Sequence, residues 1–203
     1  MDERNEADYL ALALEGDAAA QRVVYERYHD ASFRLAYLLL RDAQDAEEVV
    51  QDAFVYAFEN LDRYDPDRGA LWTWLRVILV SRCRNKRRRK RLARVSLDVL
   101  DAVGQTPADP KSSGDPVRAL ERLDTRRAVW EALQEVSSGA RDALVLRYYE
   151  GLPYAEIGEL LGCSSAAARS RVVHGKAQLR ELLGSAEGAP VAEGAAVWGV
   201  EAG

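Results

Sequence analysis

Nine of the thirteen residues from 82 to 94 are lysine or arginine, in the run RCRNKRRRKRLAR. Guanidinium and ammonium groups at that density neutralise phosphates, and the binding they give weakens as salt rises. Ten Lys/Arg and no acid occur from residue 69 to 97, whereas residues 1–68 hold 17 acids and seven bases. The net charge of −5 therefore conceals one strongly positive segment in an acidic chain, the pattern of localised attraction to a polyanion. Like charges in such a run repel one another unless an anion compensates them, which argues against a merely solvated face. Trp72 and Trp74 stand at the head of the segment, beside a polar stretch from Asp62 to Gly69. An indole there can stack on an unpaired base, although Trp74 reads first as a core residue.

A second set of donors lies in YAEIGELLGCSSAAARSRVVHGKAQL, residues 154–179. Ile157, Leu160 and Leu161 share one side of a short helix, Gly162 permits a tight turn, and Ser164 can cap the helix that follows. That second helix presents Arg169, Ser170, Arg171, His174 and Lys176, with Ala166–Ala168 keeping its start slim. The layout is helix-turn-helix, whose second helix enters the major groove and meets base edges with its early residues. Arginine suits that work because it can make two bonds to guanine. A helical hairpin with solvated arginines is the alternative. The turn glycine at this spacing and the absence of acids from 160 to 180 favour DNA. Arg169 and Arg171 stand about 200° apart around a helix axis. Arg169, with Ser170 and Val173, forms a base-facing strip, while Arg171, Lys176 and Arg180 are expected at phosphates.

The third set is acidic. In DAQDAEEVVQDAFVYAFENL, residues 42–61, Ala46, Val49, Val50, Ala53, Phe54 and Ala57 recur at helical spacing and mark a buried face. Asp45, Glu48, Gln51 and Asp52 are expected on the other surface. An acidic face near a basic one suggests a protein partner on one side and DNA on the other.

Enzymatic chemistry has little to work with. There is no glycine-rich phosphate loop and no Cys-His or Ser-His pair with a local signature, and the histidines are His29 and His174 alone. No catalytic residue, cofactor or small-molecule substrate is assigned. Cys83 and Cys163 lie far apart without Cys or His companions at ligand spacing, which argues against zinc or a disulfide framework and for a reducing compartment. The acidic start lacks a signal-peptide pattern, and no apolar run approaches the roughly 20 residues of a membrane span. A cytoplasmic protein without membrane insertion is expected.

The elements that must position these groups are helices throughout. Helical patterns cover 5–15, 18–40, 43–60 and about 71–94, with Asp17 capping the second. Residues 95–116 are rich in Gly, Pro, Ser and Asp and read as a linker. Helices resume at about 117–135, 139–150, 154–161 and 165–183, and the Gly/Ala-rich residues 184–203 read as a disordered tail. The expected fold is all-α: two helical domains, 1–94 and 117–183, joined by a flexible linker.

Together these segments resemble the extracytoplasmic-function (ECF) group of bacterial sigma factors in the sigma-70 family. DAEEVVQDAF is similar to the group's core-polymerase-binding helix, FENLDRYDPDRGALWTWL to the loop and helix that melt and hold the −10 element, and LVLRYYEGLPYAEIGELLGCS with SRVVHGK to the domain that reads the −35 element. The resemblance spans roughly 8–94 and 117–183, in family order. It implies a sigma-2-like domain at 1–94, a sigma-4-like domain at 117–183, and promoter-specific transcription initiation. Core polymerase would be met by Asp45, Glu48, Gln51 and Asp52. The −10 set would be Tyr64, Arg68, Gly69, Trp72, Ser81, Arg82, Asn85 and Arg88, with the loop, Ser81 and Asn85 capturing a flipped base. The −35 set would be Ser165, Arg169, Ser170, Arg171, Val173, His174 and Lys176. Implied partners are core RNA polymerase, promoter DNA and an anti-sigma factor. Many relatives carry Asn where this chain has Ser81, and an aromatic or second basic residue where it has Val173 and His174, so its promoter sequence is open. The competing reading is a conventional regulator that binds duplex DNA without polymerase. It explains residues 154–179 but not the acidic helix or the tryptophan-led basic helix.

Overall fold

The structure, a computed structural model, describes residues 6–97 and 128–184, with side chains described up to residue 93 in the first stretch. The expected linker beyond residue 97, the start of the helix expected from 117, and the tail from 185 lie outside the described residues. The chain divides into two compact units, Met1–Pro107 and Ala108–Gly203. Every regular element among the described residues is helical.

The first unit holds α1 (Glu6–Leu14), α2 (Ala18–Leu40), α3 (Ala43–Glu59) and α4 (Leu71–Leu97), with two short 3₁₀ turns, Leu61–Arg63 and Pro66–Arg68, between the last two. Local chemistry sets the joints. Asp17 accepts a bond from the Ala20 backbone N–H at 2.9 Å and starts α2. Arg41 ends α2 in the left-handed region (φ 63°), and Asp42 at once caps α3 by accepting from the Asp45 N–H at 2.9 Å. The hairpin between these helices is thus a joint of two residues.

All six residues of the apolar stripe on α3 are buried, as are Leu35 and Leu39 of α2 and Leu75, Leu79 and Cys83 of α4. Each fully buried leucine contributes about 1.5–3 kcal/mol. A smaller cluster, Leu10, Ala13, Ala20, Val24, Leu61 and Leu71, ties α1 to the 3₁₀ segment and the head of α4. The helix expected to end at 94 runs three residues further, to Leu97.

In the second unit residues 128–135 are helical (α5), followed by α6 (Ser138–Leu144), α7 (Tyr154–Leu161) and α8 (Ser165–Gly184). The helix expected over 139–150 is regular only to Leu144, then widens into a π-helical turn over Val145–Tyr149. The wider turn keeps Val145 and Leu146 fully buried. Its exit is closed by N–H groups of Glu150 and Leu152 reaching back to the carbonyls of Val145 (3.2 Å) and Leu146 (3.0 Å). Gly175 lets α8 lie directly on α6, since a Cβ there would stand 2.7 Å from Leu144 Cδ1 and 3.3 Å from Ala140 Cβ.

Candidate nucleic-acid and protein-docking surfaces

The basic helix carries two kinds of cation with different surroundings. The lysines among its described side chains, Lys86 and Lys90, are one turn apart and turn toward α3. Lys86 Nζ lies 2.5 Å from Glu48 Oε2 and 3.5 Å from Asp45 Oδ1. Lys90 Nζ pairs with the other oxygen of Asp45 and lies 3.6 Å from Asp42 Oδ2. Two ammonium groups and three carboxylates thus form a seam along the α3–α4 contact. The hydrogen bond to Glu48 holds the Lys86 ammonium above its usual pKa, and the same bond holds the Glu48 carboxyl below its own. Asp42 is lowered first by its capping bond from the Asp45 N–H and then by Lys90.

Asp45, expected on the open face of α3, is instead buried at 8 % exposure. It lies one turn before Val49, at the edge of the apolar stripe, where the α4 lysines cover it. Glu48, Gln51 and Asp52 are exposed, with Val55 (57 % exposed) one turn beyond Gln51. The repulsion within the basic run is therefore relieved in part from inside the fold. Arg82, expected at DNA, sets its guanidinium over the Tyr56 ring of α3 at 4.9 Å. Arg87 donates to the Leu39 carbonyl at 3.5 Å, near the carboxyl end of α2. The exposed cations of α4 are arginines 84, 88, 89 and 91, together with the half-open Lys90.

Of the residues assigned to the −10 element, Ser81, Asn85 and Arg88 are exposed and spaced four and three apart, hence on one stripe of α4. Tyr64 donates from its phenol to the Gly69 carbonyl at 3.0 Å and packs on Trp74 with ring centres 5.9 Å apart. Burial raises the Tyr64 phenol pKa, so the group stays a donor. Gly69 sits at φ 139°, a conformation that suits glycine. Arg68 is exposed beside it. Trp72 is half-buried and lies parallel to Tyr28 of α2, with 4° between the planes and 6.3 Å between centres.

In the second unit the helix-turn-helix rests on Gly162 in the left-handed region (φ 62°, ψ 45°) and on Ser164, whose hydroxyl accepts from the Ala167 N–H at 3.1 Å. Ala168, Val172, Gly175 and Leu183 are the buried side of α8. Ser165, Arg169, Ser170, Val173 and His174 are exposed, so five of the seven residues assigned to −35 reading share the open side. Arg171 and Lys176 do not. Arg171 is half-buried with Nε 3.9 Å from where a Cβ of Gly139 would stand, and Lys176 Nζ lies 5.7 Å from the centre of the Tyr148 ring.

Several supporting residues escaped the sequence reading. Gly158 is one, because a Cβ there would stand 2.7 Å from the Cys163 carbonyl oxygen and push the turn apart. Arg147 is another; it donates to the Leu152 carbonyl at 2.9 Å and lies over Tyr154, fixing the loop that leads into α7. Only Gly158 carried a signal, a glycine five residues before the cysteine of the turn.

A helix-turn-helix unit and a second helical unit with an arginine-faced helix define a DNA-binding protein. Residues 24–93 match the model of Sigma-70 region 2, and residues 126–179 match Sigma-70, region 4. The chain is 30 % identical over 183 residues to the ECF RNA polymerase sigma factor SigM of Mycobacterium tuberculosis, covering 90 % of this chain and 86 % of that one. It is 29 % identical over 174 residues to the ECF RNA polymerase sigma factor SigW of Bacillus subtilis, covering 83 % and 91 %. The chain belongs to the sigma-70 family of RNA polymerase sigma factors, in its ECF branch. Among solved structures it is similar to CnrH in complex with the cytosolic domain of CnrY (TM-score 0.57, 26 % identity, 90 % of this chain and 99 % of that one). The fold is also that of the sigma factor RpoE bound to the anti-sigma factor NepR from Bartonella quintana (TM-score 0.64, 21 % identity, 80 % and 96 %).

Proposed function

We propose that this protein is an alternative sigma factor that binds core RNA polymerase, reads −35 and −10 promoter elements through its two units and melts the promoter at the −10 element. The observation that carries the reading is the pairing of two unlike surfaces in one small unit. Glu48, Gln51, Asp52 and Val55 form an acidic, partly apolar patch on α3, and α4 carries an arginine face with the stripe Ser81, Asn85 and Arg88. A duplex-binding regulator has no use for the first. The acidic patch meets a basic surface of the polymerase clamp, and the second unit reads the −35 element with Arg169, Ser170, Val173 and His174. The loop around Tyr64–Gly69, with Ser81 and Asn85, takes up a base flipped from the non-template strand. Extrusion costs a few kcal/mol, so a pocket that recognises the flipped base couples melting to sequence.

The protein acts by binding promoter DNA and the polymerase. Its place is the cytoplasm with the polymerase; no helix among the described residues is long and apolar enough to cross a membrane. An anti-sigma factor is a further partner on this reading, as the sigma factor RpoE, which shares the fold, is bound by the anti-sigma factor NepR. Replacing Gln51 with Ala and Asp52 with Arg tests the docking face. Affinity for core should fall at least tenfold with helicity unchanged, and unchanged affinity would move the docking face elsewhere.

A further inference from the structure

The phenol of Tyr28 on α2 donates to Oε1 of Glu6 on α1, and Oε2 of the same carboxylate lies 3.5 Å from Nη2 of Arg27. Glu6 is thus held from one side and holds Tyr28 from the other. Burial first, and this bond second, push the Tyr28 phenol well above its usual pKa, so it stays a donor throughout the working range. The Tyr28 ring rests on the small apolar cluster that joins α1, α2, the 3₁₀ segment and the head of α4. Its far side runs parallel to Trp72, 6.3 Å between centres, and both rings remain partly open to solvent. At that separation the two parallel rings are too far apart for full face-to-face contact, which leaves aromatic surface beside both for a planar base.

A half-buried phenol ordinarily takes a hydrogen-bond partner, and here that partner is a carboxylate from another helix. A bond at the phenolic oxygen fixes the outer end of the ring axis, which holds its tilt relative to Trp72. Aromatic faces exposed beside a cationic helix take unpaired bases in a sequence-tolerant way.

We propose that Tyr28 and Glu6 are positioning residues for promoter opening: Glu6 pins Tyr28 alongside Trp72, and the two rings form the shelf on which one unpaired base of the −10 region stacks. The proposal rests on the sigma-factor reading above and assigns to α1 and α2 a part in holding melted DNA.

The test uses full-length protein bound to core polymerase and non-template strands carrying 2-aminopurine at successive positions of the −10 region. Stacking quenches the probe, and the complex should quench it strongly at one position upstream or downstream of the flipped base. Trp72→Ala should abolish that quenching. Tyr28→Ala should weaken it and lower single-strand affinity about tenfold, the scale of one lost base–aromatic stack. Affinity for core and for a −35 duplex should not change. Glu6→Ala should have a smaller effect at the same position, and Glu6→Gln, which keeps an acceptor for the phenol, should restore it, whereas a cluster-filling role would not distinguish Ala from Gln. Quenching that survives Trp72→Ala overturns both the shelf and the assignment of the head of α4 to the −10 element. Quenching lost in Trp72→Ala but intact in Tyr28→Ala overturns the shelf alone.

Discussion

Lys86→Met is the perturbation that most directly probes how the two surfaces of the first unit are held together. Methionine keeps the length and apolar stem of the side chain and removes the ammonium. Two ion pairs are lost. The pair with Glu48 is 2.5 Å long, but that carboxylate side chain is 56 % exposed, so solvent screens the pair and its loss contributes little. The pair with Asp45 is 3.5 Å long between side chains only 18 % and 11 % exposed. An uncompensated buried charge costs about 3–5 kcal/mol, but Lys90 still serves Asp45, so about 1–2 kcal/mol is expected. The variant should therefore lose about 1–2 kcal/mol, nearly all of it at Asp45. Urea unfolding of the first unit, followed by emission from Trp72 and Trp74 with Trp130 and Trp198 changed to phenylalanine, reads that loss. A double-mutant cycle with Asp45→Asn should give a coupling above about 0.5 kcal/mol, shrinking at high salt. The contribution also has a pH window. The folded-state pKa values of Asp42 and Glu48 are depressed, so their share is present above the ordinary carboxylate range and lost as pH falls through it. That of Lys86 is raised, so its share is complete below its ordinary value and lost as pH rises through the higher folded one. The seam should therefore contribute fully between about pH 5 and pH 10. Stability of Lys86→Met within about 0.3 kcal/mol of the parent would refute the reasoning, because a seam that holds the helices together cannot be that cheap to open.

Other outcomes follow from single residues. In the free protein's binding to single-stranded DNA, Arg88→Ala should lower the salt slope by about one unit, while Lys86→Met, whose charge is already matched, should leave it unchanged. Arg169→Ala should cost about 1–3 kcal/mol at one preferred −35 base, whereas Arg171→Ala should weaken all −35 sequences alike; binding to matched and singly substituted elements at two salt concentrations separates them. Gly175→Ala gains about 1 kcal/mol of helix propensity but forces a Cβ into Leu144, an overpacking of about 1–3 kcal/mol, so thermal unfolding should show a net loss; a higher Tm would mean that α6 and α8 part easily.

The helices were legible because their signals are local. The stripe on α3, the caps at Asp17 and Ser164, and the turn at Gly162 are each set by residues within one or two turns, and each stands where the sequence places it. The π-helical widening at Val145–Tyr149 was not, because nothing in VLRYY separates a π turn from an α turn; burial of Val145 and Leu146 against the rest of the unit decides it. Asp45 failed for a related reason. Helical periodicity places it at the edge of the stripe, and only the lysines arriving from α4, some forty residues on, decide that the edge is covered. The arginine run was legible as a charge but not as a division of labour between lysines that face inward and arginines that face out. Arg171 was separable from Arg169 by helical angle alone, and its half-buried position beside Gly139 agrees with that angle. Tyr28 and Glu6 gave no signal, since their pairing spans 22 residues and two helices.

Run-off transcription with purified core polymerase tests the central claim most directly. Promoter fragments enriched by the reconstituted complex would be transcribed and the 5′ ends of the products mapped. The account predicts that neither core nor this protein alone initiates specifically, and that together they start at fixed sites sharing one −35 and one −10 sequence. It also predicts that the protein alone holds duplex DNA only weakly, on the non-specific scale of roughly 10⁻⁴ to 10⁻⁶ M. Tight, sequence-specific binding by the protein alone, with no new start sites when core is added, would contradict it.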